Sequence, residues 1–136
     1  MLEPTWTTIR LFLHVLSATI WVGGQVVLAG LVPALRRHDA AVTKVAARAF
    51  NRLAWPAFGV AVLTGIWNLM SVDVTATDWN YQVAALVHVL LTGVAGAAAA
   101  VHAVGRTRLA LALGGAIGLL ASLGALFVGL LLRTGR

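Results

Sequence analysis

Four long apolar runs, at residues 6–34, 53–72, 79–105 and 109–132, leave this chain little freedom in how it folds. Each is close to or above the ~20 residues an α-helix needs to cross the hydrocarbon of a bilayer. They are too long for buried core helices, and the stretches between them are too short for a soluble domain. The composition agrees. Charged residues make up 10% of the chain, against roughly 25% in soluble domains. The sequence predicts an all-α fold, an integral membrane four-helix bundle formed by one transmembrane domain over residues 1–136. Its helices are expected at about 5–37, 41–72, 79–105 and 108–133.

The net charge of +6 follows the topology. Arg36, Arg37, Lys44, Arg48, Arg52, Arg106 and Arg108 fall in the first and third connections. The second connection carries Asp73 and Asp78 and no base. The excess of Lys and Arg on cytoplasmic loops then places the N- and C-termini outside, in a multi-pass protein of the plasma membrane. Arg10, Arg133 and Arg136 are exceptions to the pattern. No nucleic-acid partner is implied. Lys44, Arg48 and Arg52 recur every four residues with Val45, Ala46 and Phe50 between them, an amphipathic stretch suited to anionic lipid. Glu3 before the first run and the lack of a basic leading segment predict a span that is not a cleavable signal.

Cysteine is absent, which excludes disulfides, thiolate metal sites and iron–sulfur clusters. Met1 and Met70 are the only methionines, fewer than a thioether copper relay calls for. Trp6, Trp67, Trp79 and Tyr81 are expected at the outer interface and Trp55 at the inner one. Trp21 lies too deep for such a role. Gly93, Gly96, Ala97 and Ala100 on the third helix, and Gly114, Gly118 and Ser122 on the fourth, permit close backbone approach. The contact they serve is either within the bundle or in a homo-oligomer.

Polar side chains in the first run are concentrated on one face. Arg10, His14, Ser17, Trp21, Gly24 and Gln25 are spaced by three or four, so they share a helical stripe that must point away from lipid. His14 and His88 each lie ten residues beyond the expected starts of their helices, Pro4 and Asp78. That is a depth of ~15 Å at the rise of an α-helix. An ionisable side chain so deep is a functional-site candidate.

Two imidazoles on separate spans suit the axial positions of a haem b iron, or a bound metal ion. The bundle offers apolar walls for a porphyrin. Arg10, one turn or ~5.4 Å outward of His14, is placed for the propionates. Asn68, Asn80 and Tyr81 supply hydrogen bonds, Gly23, Gly24 and Gly65 give room for ring edges, and Trp21 flanks the macrocycle. The expected function is electron transfer or redox chemistry on a small or lipid-soluble partner such as a quinone. Copper is the competing cofactor, since imidazole suits Cu(II), and it implies a copper-handling membrane protein. A structural membrane subunit is the third possibility. His102, fourteen residues after His88, has only His38 as a partner for a second haem, and it reads instead as a solvated neighbour of Arg106. No phosphate loop, carboxylate pair or nucleophile–base pair is present.

The stretch LHVLSATIWVGG from Leu13 to Gly24, together with RLAWPAFGVAVLTG from Arg52 to Gly65, resembles the copper resistance protein D family of four-helix membrane proteins. It is also distantly similar to the HemJ-type protoporphyrinogen oxidases, which share an early His followed by Trp and Gly on the first helix. The resemblance covers the first three helices. It implies haem b binding and a functional role for His14 and Trp21. Where those families carry a Lys on the third helix this chain has His88, which favours ligation by two histidines over porphyrinogen oxidation. The copper family name implies copper uptake across the membrane.

Overall fold

In the computed structural model, which describes residues 3–135, the chain is all-helical. Met1, Leu2 and Arg136 lie outside the described residues. Helix α1 runs over Trp6–His38, α2 over Ala40–Met70, α3 over Trp79–Val104 and α4 over Arg108–Thr134. All four are long and apolar enough to cross a membrane. The described residues divide into two compact units, one ending at Val72 and the next beginning at Asp73. Each is an antiparallel hairpin, α1 with α2 and α3 with α4.

Local chemistry fixes the ends of these helices. Thr5 and Thr8 form a capping box ahead of α1, satisfying two of the orphan donors at the start of a helix. Asp39 alone links α1 to α2. Its backbone N–H closes α1 on the Leu35 carbonyl, and its side chain accepts from Ala41 N–H to open α2. Pro33 and Pro56 sit inside helices, where each removes one backbone donor. Asp73 caps a short 3-10 turn over Val74–Ala76, and Asp78 caps α3 by accepting from Tyr81 N–H. Thr107 does the same for α4.

The first hairpin is held by ring packing. Trp21 is buried, 5.4 Å from Trp55 in an edge-on arrangement and 4.4 Å from Phe58 between ring centroids. Aromatic pairs at such separations add to the burial they bring. Trp21 therefore belongs to the core of its own hairpin, which accounts for its depth.

The second hairpin is held by backbone proximity. Gly114, Gly118, Ala121, Ser122 and Ala125 are the buried residues of α4. A Cβ at Gly114 would fall 2.7 Å from His102 N and 2.8 Å from Ala98 O. The small-residue stripe of α4 thus packs on α3, inside the hairpin, while Gly93, Ala97 and Ala100 of α3 stay exposed. Large apolar side chains such as Leu120, Leu63 and Phe127 are more than half exposed.

Candidate functional site

His14 and His88 are seated in the same way. In the first hairpin His14 Nδ1 lies 2.9 Å from the Ala61 carbonyl oxygen and 3.1 Å from Thr64 Oγ1. Thr64 gives its own hydroxyl proton to Val60 O at 2.6 Å, so it accepts from His14. In the second hairpin His88 Nδ1 lies 2.8 Å from the Ala125 carbonyl oxygen. A carbonyl only accepts. Nδ1 therefore carries a proton in both rings.

A glycine opens each carbonyl to its histidine. In a helix the Cα–Cβ bond leans toward the N-terminus, so a side chain at one position covers the carbonyl four residues earlier. Gly65 stands four residues after Ala61, and Gly129 four after Ala125. A Cβ at either would come within 3.2 Å of the histidine Cε1. The imidazole edge occupies the space that the missing methyl leaves. Sequence periodicity picks out the two histidines but not these partners. The available signal is the Ala-x-x-x-Gly spacing repeated in α2 and α4.

His102 shows the arrangement a third time. Its Nδ1 donates to Leu111 O at 2.6 Å, and Gly115, four residues on, meets the ring. His102 is exposed. Its partner is thus the α4 backbone as well as the solvent expected beside Arg106.

The remaining stripe of α1 divides by position. Ser17 is buried, 5% exposed. Gly24 receives Phe50, whose ring would meet a Cβ there; the gap at Gly24 is filled from α2, as the gap at Gly65 is filled by His14. Gln25 is half-buried. Thr19, off the stripe, turns its hydroxyl onto Val15 O at 2.8 Å.

Arg10 lies one turn before His14 and engages the far end of α2. Its Nη1 donates to Ser71 Oγ, and its guanidinium sits 5.8 Å from the centroid of the Trp67 ring, within cation–π range. Its Nε, like Asn68 Oδ1, is buried without a hydrogen-bond partner among the described residues. In the second hairpin, Gln82 Nε2 donates to Thr77 O at 2.9 Å and Thr92 Oγ1 to His88 O at 2.8 Å. Asn80 is exposed and Tyr81 half-buried.

Comparison of the chain with protein families, curated proteins and solved structures finds no match.

Proposed function

We propose that the protein is a multi-pass membrane haem protein in which His14 and His88 would hold one haem b by bis-histidine ligation. The single observation that carries this reading is that two part-buried imidazoles share one seating, which His102 has only at an exposed position. Each donates Nδ1–H to a backbone carbonyl of the neighbouring helix. Metal-bound histidines are held in this way, with the second nitrogen hydrogen-bonded so that tautomer and ring orientation are fixed before the metal arrives. The donor set is two imidazoles in a setting without thiolates, which suits a b-type haem.

When bound, the haem would supply one-electron chemistry. The protein's residues supply the frame: Ala61, Gly65, Ala125 and Gly129 orient the imidazoles, and the apolar helices exclude water. A lipid-soluble quinone is the partner such a site would serve. In this reading the basic connections lie in the cytoplasm and both termini lie outside, following the distribution of Lys and Arg. The resemblance to the HemJ-type family points the same way, while that to the copper resistance D family favours the copper alternative. Copper is the weaker assignment. No group of three or more His, Asp or Glu side chains able to hold a metal ion occurs among the described residues, and Met70 is 82% exposed.

The test is the absorption spectrum of the detergent-purified protein, oxidised and reduced. A sharp Soret band with low-spin α and β bands on reduction is the expected result. A colourless protein carrying stoichiometric copper would move the assignment to copper handling. A colourless, metal-free protein would leave a structural subunit.

A further inference from the structure

The two hairpins provide a natural comparison. Ala61 and Ala125 each lie nine residues before the last residue of their helix, Met70 and Thr134, and each receives a histidine from the preceding helix. Matching the two seats along the sequence pairs Arg10 with Ala84, Ser17 with Leu91, Thr64 with Val128 and Asn68 with Leu132. The second hairpin seats its histidine with apolar residues at all four places. The seat itself therefore does not require Arg10 or Asn68, and their presence in the first hairpin needs another cause.

Both residues carry an unanswered polar atom. Arg10 Nε is a buried donor and Asn68 Oδ1 a buried acceptor, each without a partner among the described residues. The Arg10 guanidinium contacts Trp67 and Ser71, which flank Asn68 within one turn of α2. A donor and an acceptor left open at one end of one hairpin describe the ligand group that completes them: one oxygen that both accepts and donates.

We infer that Arg10 and Asn68 bind the phenolic hydroxyl of a hydroquinone, the reduced form of a lipid-soluble quinone. The hydroxyl oxygen accepts from Arg10 Nε–H and its proton is donated to Asn68 Oδ1. Trp67, 43% exposed, lies beside them as an aromatic wall for the ring. A carboxylate fits less well. It has acceptors only, so a haem propionate would answer Arg10 and set a negative oxygen against Asn68 Oδ1. Arg10 thereby serves the partner rather than the cofactor's propionates. An oxidised quinone, with a carbonyl in place of the hydroxyl, answers Arg10 and leaves Asn68 open. The site consequently prefers the reduced form. This inference rests on the proposed redox function for its choice of a quinol over other phenols.

The experiment is a binding titration of the full-length chain in lipid nanodiscs, with a short-tailed benzohydroquinone under anaerobic conditions and with its quinone. One extra satisfied hydrogen bond corresponds to roughly tenfold in affinity, so the hydroquinone is expected to bind about tenfold more tightly. Asn68→Leu installs the residue the second hairpin carries at this place. It should bring the ratio near one while quinone affinity holds. Arg10→Ala, likewise matched to Ala84, should weaken both forms. Helical content by circular dichroism checks that each variant is folded. Failure of the wild type to bind either form overturns the inference, as does a ratio unchanged in Asn68→Leu. The same titration on His88→Ala separates the two proposals. Hydroquinone binding should persist in this variant even as its haem is lost or turns high-spin; a wild type that binds hydroquinone but never takes up haem would sink the haem assignment alone, and a wild type that takes up haem but binds no hydroquinone would sink this one.

Discussion

His88 and Ala125 face each other across the second hairpin, the imidazole Nδ1–H donating to the carbonyl oxygen at 2.8 Å. The carbonyl has two lone pairs. One serves its own helix, and the absence of a side chain at Gly129 exposes the other. His14 repeats the relationship with Ala61 beneath Gly65. Ring orientation and helix packing are thus one and the same constraint: neither imidazole can turn without leaving a buried carbonyl contact or separating two helices.

Adding a methyl at either glycine tests that constraint. In Gly65→Ala and Gly129→Ala the new Cβ would lie 3.2 Å from the histidine Cε1, so the ring must give way. Overpacking of this kind costs about 1–3 kcal/mol. Gly23→Ala is the control, since nothing lies within 4 Å of its Cβ position. Thermal unfolding in detergent should rank the first two well below the control. Equal melting temperatures for all three would show that the glycines do not seat the rings.

The ligand assignment predicts a paired response. If haem is held as proposed, His14→Ala and His88→Ala should each either lose haem or convert a low-spin spectrum to high-spin, because each would remove one of the two proposed histidine ligands. Wild-type spectra retained in both variants would remove these residues as ligands.

Much of this architecture was legible from the sequence. Four apolar runs, the acidic cap at Asp78 and the break at Asp39 are local signals, and local signals place helices well. Helical periodicity also gathered Arg10, His14, Ser17 and Trp21 onto one stripe. What a stripe faces is not a local property. The packing of Trp21 on Trp55 and Phe58, and of Phe50 over Gly24, depends on the register of α1 against α2, which no single-helix pattern encodes. The same holds for the small residues of α4, whose spacing is equally good for a contact within the hairpin or between subunits. The backbone carbonyls that receive His14 and His88 carry no side-chain signature. Only the glycine four residues later marks them.

Thr64 distinguishes the two histidine seats. It shares the His14 proton with Ala61 O, whereas Val128 occupies the matching place in the second hairpin. Thr64→Val should therefore keep His14 seated on Ala61 O. Loss of one such hydrogen bond corresponds to about 0.5–1.5 kcal/mol. If His14 holds haem as proposed, haem content should hold, while the midpoint potential in a redox titration shifts as the imidazole loses part of its hydrogen bonding. A variant that fails to bind haem would mean that Thr64, not the carbonyl, positions the ring.

The connection between the hairpins responds to acid. Asp73 accepts from Thr75 Oγ1 at 2.6 Å, and this hydrogen bond is the main cause holding its carboxyl below the ordinary value of 3.8. A depressed carboxylate pKa favours the folded turn above that value, and the preference is lost as pH falls through the folded pKa. The turn over Val74–Ala76 should therefore stay ordered through neutral and mildly acid pH and loosen only below the usual carboxylate range. A titration of the Asp73 carboxyl resonance in isotope-labelled protein checks this. A midpoint at or above 3.8 would contradict the hydrogen bond.

Glycine identity along α4 should matter in proportion to what lies opposite. At Gly114 an added Cβ meets backbone on α3, 2.7 Å from His102 N and 2.8 Å from Ala98 O. Backbone cannot rotate out of the way as a side chain can, so Gly114→Ala must push the two helices apart, at the upper end of about 1–3 kcal/mol. At Gly118 the nearest atom is Ala99 N at 3.4 Å, ordinary contact, and the substitution also removes the flexibility a glycine brings to a helix. Gly118→Ala should leave stability unchanged or raise it slightly. His102 is seated one residue beyond Gly114, on Leu111 O and against Gly115, so Gly114→Ala should also disturb the His102 ring resonances in nuclear magnetic resonance spectra while Gly118→Ala leaves them in place. Similar melting temperatures for the two variants would mean that α3 and α4 do not approach each other along this stripe.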